Sequence, residues 1–177
     1  MIFNRNRNKI LDINGSPTAT VSISNSAGAP VFLIPGQPAS VFYGWFYARN
    51  PDGSYLNTTQ GLPQRERGTQ STSNVNEYTV GRAADGQPSG GFVRKVIGNP
   101  NPNWTGSFTG NLSYKKVGFR FLLDAVQGVS VFNADKRTRN NVGIGDLAEA
   151  EMLGTAPRGT IFHWPTSRST AWTMVVL

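Results

Sequence analysis

The period of its apolar residues limits this chain more than anything else. From Thr18 to Ser24, Ala19, Val21 and Ile23 alternate strictly with Thr18, Thr20, Ser22 and Ser24. Val117, Phe119, Phe121 and Leu123 repeat the pattern against Lys116, Gly118, Arg120 and Leu122. Successive side chains of a strand point to opposite faces, so a period of two predicts half-buried strands and excludes an amphipathic helix. Shorter apolar or aromatic runs at Val31–Ile34, Ser40–Tyr47, Glu77–Val80, Gly91–Ile97, Trp104–Leu112, Val129–Phe132, Thr160–Trp164 and Ala171–Leu177 read as further strands.

Turn chemistry separates these runs. Asn25–Gly28, Asn50-Pro51-Asp52-Gly53 and Asp85–Gly90 carry the residues that reverse a chain, and the alternate prolines of Asn99-Pro100-Asn101-Pro102-Asn103 disfavour helix and remove ladder donors. With 20 Gly, 11 Pro and only 15% charged residues, the composition is poor in helix formers. Aromatics reach 11%, which argues for a packed core over disorder. One segment departs: Asp146 reads as an N-cap, Glu149 as its capping-box partner and Gly154 as a stop. The fold expected is all-β: a single-domain β-barrel or jelly-roll-like sandwich over residues 1–177 with one short helix near 146–153. A short basic N-terminal arm (1–9) and an exposed polar loop (60–76) complete it.

Several chemistries are excluded or unsupported. There is no cysteine, which removes disulfides, thiolate metal sites and thiol nucleophiles together. His163 is the sole histidine, so a histidine metal cluster is impossible and any imidazole base must be that residue. No nucleophile elbow accompanies it. Gly143-Ile144-Gly145-Asp146-Leu147-Ala148 fits a loose dinucleotide fingerprint, but Lys136–Asn141 before it is no hydrophobic strand, and a turn leading into a helix is the reading. Paired carboxylates suffice for glycoside hydrolysis, yet Asp12, Asp52 and Asp85 stand in turn contexts, and Glu149 and Glu151 in the helix. No metal, cofactor or catalytic residue is expected. No apolar run approaches the length of a membrane span, and no hydrophobic stretch follows the charges of Met1–Lys9 as a secretory signal requires.

The net charge of +7 comes from scarce acids as much as from its 17 basic residues, and gives a diffuse attraction for polyanions. Two small clusters, Arg5, Arg7 and Lys9, and Lys136, Arg137 and Arg139, are candidates for sequence-independent phosphate contact. Trp45, Tyr47 and Trp104 are candidate interface anchors or sugar platforms.

Ala29-Pro30-Val31 with Pro35, Asp124-Ala125-Val126, and Arg137-Thr138 followed by Asn140-Asn141-Val142 and Gly145 give the chain a resemblance to small β-structured virion proteins of bacteriophages, and to the major spike proteins of the microviruses among them. The resemblance implies a virion component assembled in the host cytoplasm, a homo-oligomer in a pentamer or other ring or shell that packs on other capsid proteins. Packaged nucleic acid is the partner it suggests for the basic arm. A carbohydrate- or cell-surface-binding β-sandwich, such as a host-attachment module, is the alternative expectation, and a small hydrolase the third.

Overall fold

Strand pairing is antiparallel in every ladder of the computed structural model, which describes residues 1–24, 31–160 and 168–176, the last segment and Arg137 by their backbone only. The strands are β1 (Ile2–Asn4), β2 (Val21–Ser24), β3 (Val31–Leu33), β4 (Val41–Trp45), β5 (Arg67–Gln70), β6 (Tyr78–Val80), β7 (Gly91–Phe92), β8 (Arg94–Gly98), β9 (Trp104–Tyr114), β10 (Val117–Phe132) and β11 (Arg168–Val176). They form three sheets, ordered β1-β9-β10-β11, β2-β3-β4-β8 and β6-β5-β7. The all-β class is therefore the observed one, built as separate antiparallel sheets with no closed barrel among the described residues.

The core of the second sheet is Ile34, Val41 and Tyr43, with Phe32, Val75 and Val96 packed against it. Tyr43 keeps its ring inside by donating its hydroxyl to the Val75 carbonyl at 2.7 Å. The aromatic run at 40–47 is buried along Val41, Tyr43 and Gly44, while Trp45 at the end of β4 is about half exposed.

Carboxamide side chains join the second sheet to the third. β8 is an edge strand whose outer amides would otherwise lack partners. Gln70 Oε1 accepts the Arg94 amide at 2.8 Å, and its Nε2 donates to the Arg94 carbonyl at 3.1 Å and to Val75 and Glu77. Asn76 Oδ1 takes the Val96 amide at 2.7 Å. Each carboxamide stands where a neighbouring peptide would.

The first sheet rests on one long hairpin. Tyr114 pairs with Val117 across Lys115 and Lys116, with Lys115 in the left-handed region at φ 54°, and the pairing runs unbroken to Trp104 opposite Gln127. Two glycines are required by this geometry. A Cβ at Gly110 would lie 2.3 Å from Cζ of Phe121, whose ring folds over that position. Gly128, at φ 81°, sits where the β10–β11 register shifts, and a Cβ there would meet Asn103 at 2.2 Å. The expected terminal strand is β11, bonded along Leu123–Phe132 of β10.

Several expectations need correction. The 60–76 segment is no exposed loop throughout: it supplies β5, and Leu62 and Glu66 are buried, because alternate residues of this polar stretch turn inward. Val21 and Ile23 of β2 are exposed, so their alternation marks a strand whose apolar face is uncovered. The predicted helix is present as α2 (Asp146–Met152), but Gly145 is its N-cap and no side chain caps it. A helix precedes it, α1 (Ala134–Asn141), capped by Asn133, whose Oδ1 accepts the Lys136 amide at 2.8 Å. Of the segment expected at 143–148 to turn into a helix, Gly143–Gly145 lies between the helices and Asp146–Ala148 opens α2. Asn25–Gly28, Ala29, Pro30, His163, Trp164 and all but the first residue of the strand expected at Thr160–Trp164 lie outside the described residues. No helix among the described residues is long and apolar enough to cross a membrane.

Replacing Gln70 by Ala removes the two hydrogen bonds to Arg94 that cross between the sheets, together with those to Val75 and Glu77. At about 1 kcal/mol for each bond that water does not replace, we expect a loss of roughly 2 kcal/mol, read as a lower urea midpoint with unchanged slope. An unchanged midpoint would show that the seam is held otherwise.

Candidate functional site

Two surfaces stand out, and both follow from strand alternation. The first is the outer half of the β9–β10 hairpin. β1 pairs only with Thr105–Ser107 and β11 only with Leu123–Phe132, so Phe108–Tyr114 and Val117–Leu122 continue as a two-stranded ribbon about 24 Å long at roughly 3.4 Å per residue. Cross-strand partners share a face. Leu123 opposite Phe108, Phe121 opposite Gly110, Phe119 opposite Leu112 and Val117 opposite Tyr114 therefore make one side apolar. Phe121 stacks between Phe108 and Phe119, with both centroid distances 5.7 Å. The reverse side carries Thr109, Asn111, Ser113 and Arg120, with Arg120 Nε donating to Asn111 Oδ1 at 2.9 Å.

Leu112, Tyr114, Val117 and Phe119 are 62–73% exposed. A two-stranded ribbon is marginally stable alone in water, and a wet apolar face of this length marks an interaction surface. The tip is cationic, with Lys115, Lys116 and Arg120 exposed.

A second exposed apolar group surrounds the helices. Val142, Ile144, Met152 and Leu153 are all more than 60% exposed beside an open concavity of about 380 Å³. Asp146 and Glu149 line it.

The second surface contains Trp45 and Tyr47. Trp45 pairs with Arg94, Tyr47 bridges to Arg65, and Arg67 pairs with Phe92. Each of three extended segments thus gives two residues, i and i+2, to one face: Trp45 and Tyr47, Arg65 and Arg67, Phe92 and Arg94. The guanidinium carbons of Arg94 and Arg65 lie 4.7 and 5.1 Å from the Trp45 ring, and those of Arg67 and Arg65 lie 4.3 and 5.9 Å from Phe92. Burial raises the Tyr47 hydroxyl pKa against the pull of the Arg65 cation. Tyr55 meets the Tyr47 ring edge-on at 5.9 Å.

The opposite phase of the same segments points inward. Val93 is fully buried, and Glu66 is 6% exposed and forked against Arg82, with Oε1 to Nη1 at 2.5 Å and Oε2 to Nη2 at 3.0 Å. Glu66 holds the Arg82 guanidinium above its ordinary pKa, and also accepts the Arg67 amide at 3.1 Å. The acid between Arg65 and Arg67 is therefore spent behind the face and leaves the face positive.

The remaining expected residues lie apart. Arg5, Arg7 and Lys9 are exposed on the arm, which is tied down by the Ala39 amide donating to Asn8 Oδ1 at 2.8 Å and by Ile10 N–H to Gln37. Lys136 and Arg139 belong to α1. Lys136 is 3.0 Å from Asp146, which it holds below its usual pKa, and Arg139 is 3.9 Å from Asp135, so this cluster is largely countered. Trp104 stacks on Phe3 at 5.9 Å and donates its indole N–H to Gln127. Asp12, Asp52 and Asp85 accept the amides of Gly15, Ser54 and Gln87 in local turns, as expected. Sequence reading missed Phe92 and Arg94, and took Arg65 and Arg67 for loop residues. Their signal was alternation of cationic and aromatic residues about Glu66 and Val93.

No family model matches this chain, and no curated protein matches its sequence.

Replacing Glu66 by Ala takes the carboxylate from a partly buried guanidinium, which keeps only its bond to the Gly81 carbonyl, and the side-chain acceptor from the Arg67 amide. We expect about 2 kcal/mol of lost stability in urea unfolding, and equal stability would show that the fork does not anchor the face.

Proposed function

We propose that this chain is a structural component of a virus particle, a bacteriophage capsid or spike protein, that assembles with copies of itself through the β9–β10 ribbon. The observation that carries the reading is the uncovered apolar face of Leu112, Tyr114, Val117 and Phe119 on a ribbon that cannot bury it within its own sheet. A second copy is its occupant. The tip joins apolar rings to Lys115, Lys116 and Arg120, while the helical concavity joins Ile144, Met152 and Leu153 to Asp146 and Glu149. The match is chiefly apolar, since Arg139 also lines the concavity and Asp146 is paired with Lys136.

A tip-to-concavity contact is heterologous: it uses two different patches, so each copy offers both a donor and an acceptor. Such contacts close into a ring or propagate, which suits a protein used in many copies. The resemblance to microvirus spike proteins points the same way. The sugar-platform alternative draws little support, because the surroundings of Trp45 are cationic, which a neutral sugar does not call for, and Trp104 lies against Phe3.

Light scattering behind size-exclusion chromatography tests the reading. The chain is expected to elute as an oligomer, with rings, spikes or shells in electron micrographs. Leu112→Ser with Phe119→Ser, and separately Met152→Asp, should shift it to monomer with an unchanged far-ultraviolet circular-dichroism spectrum. A monodisperse monomer at the highest soluble concentration would overturn the proposal.

A further inference from the structure

The face built from Trp45, Tyr47, Arg65, Arg67, Phe92 and Arg94 is remote in logic from the ribbon: no feature of self-assembly calls for it. Exposed arginines are ordinarily countered by acids or spread by repulsion. Here three converge on two rings, Trp45 and Phe92, that are themselves about half exposed. Glu66 is turned away and neutralised by Arg82, and no ion pair among the described residues involves Arg65, Arg67 or Arg94. Their backbones are fixed, since Arg94 is stitched on both sides by Gln70 and Arg67 is held by Glu66. A preformed, uncompensated cationic surface interleaved with aromatic planes remains.

We infer that this face binds single-stranded nucleic acid, the guanidinium groups meeting phosphates and the Trp45 and Phe92 rings, with the arginine planes beside them, stacking on unpaired bases. Phosphates alone would be served by any group of cations, and the N-terminal arm has that. Alternation of ring and cation suits a strand whose bases and phosphates also alternate. Duplex DNA keeps its bases stacked inside and leaves the rings unused. A sulfated glycan engages the charges and gains little from the aromatic faces. The contact needs no base identity, so the binding is expected to be sequence-tolerant and strongly dependent on salt.

The probe is a fluorescein-labelled oligothymidylate of about 15 nucleotides, titrated with the full chain while anisotropy is followed from about 50 to 200 mM salt. We expect saturable binding that weakens steeply with salt. Arg65→Gln with Arg94→Gln should lower affinity at least tenfold and make the log–log salt slope shallower by about 1.4. Trp45→Leu should cost about 5- to 100-fold while leaving the salt slope unchanged. Arg5→Gln, Arg7→Gln and Lys9→Gln together should change affinity by less than the face variants do. Ultraviolet cross-linking of the unaltered chain to the same oligonucleotide, mapped by mass spectrometry, needs no variant to fold and should mark the peptides holding residues 45–47, 65–67 and 92–94. Cross-links confined to other segments, or no binding at low salt, would overturn the inference. So would heparin binding as tightly with Trp45→Leu without effect, which would make the face a general polyanion surface.

Discussion

The hairpin of β9 and β10 is longer than anything that flanks it, and much of the structure follows from that mismatch. Its inner half is ordinary sheet, bonded on one side to β1 and on the other to β11. Its outer half retains the hydrogen-bonded ladder but, among the described residues, has neither a third strand nor a covering layer. Alternation places Leu112, Tyr114, Val117, Phe119 and Phe121 on one side, and a side chain cannot change faces without slipping the whole register. The apolar surface is consequently a fixed property of the hairpin. Packing of Phe121 over Gly110 shelters one ring and leaves the rest wet.

The second and third sheets solve a related problem with polar side chains. β8 has a free edge, and Gln70 and Asn76 bond to it as peptides would. The seam costs no strand. It also fixes Arg94, so the contact that joins two sheets positions one member of the cationic face. Glu66 acts from the other side, holding Arg82 with its carboxylate while its buried position sends Arg65 and Arg67 outward. Scaffold and surface are thus set by the same alternation.

Strand character was legible wherever the apolar period was clean, as at Val117–Leu123, and the turns at Asn50–Gly53 and Asp85–Gly90 carried their own chemistry. β5 was hidden because Arg67–Gln70 is polar on both faces and borrows its inward phase from Glu66 and Gly68. α1 was hidden for a similar reason: Ala134–Asn141 has no apolar stripe, and its evidence lies in the Asn133 cap and in Asp135 and Arg139 at opposite ends. Alternation at Val21 and Ile23 predicted the strand correctly and its burial wrongly, since a period of two says that faces differ and not which one is covered. Trp45 and Tyr47 were visible as individual anchors. Their arginine partners arrive from segments 20 to 50 residues away, and only strand register brings them together.

The central claim is that a second copy covers the outer ribbon. Hydrogen exchange followed by mass spectrometry tests it at the residues concerned, because a bare two-stranded ribbon opens readily and a docked one does not. Amides of Phe108–Leu122 should exchange quickly in dilute protein and become protected as concentration rises, while those of β4 and β8 stay constant. Exchange at the ribbon that is equally slow, or equally fast, across all concentrations would contradict the account.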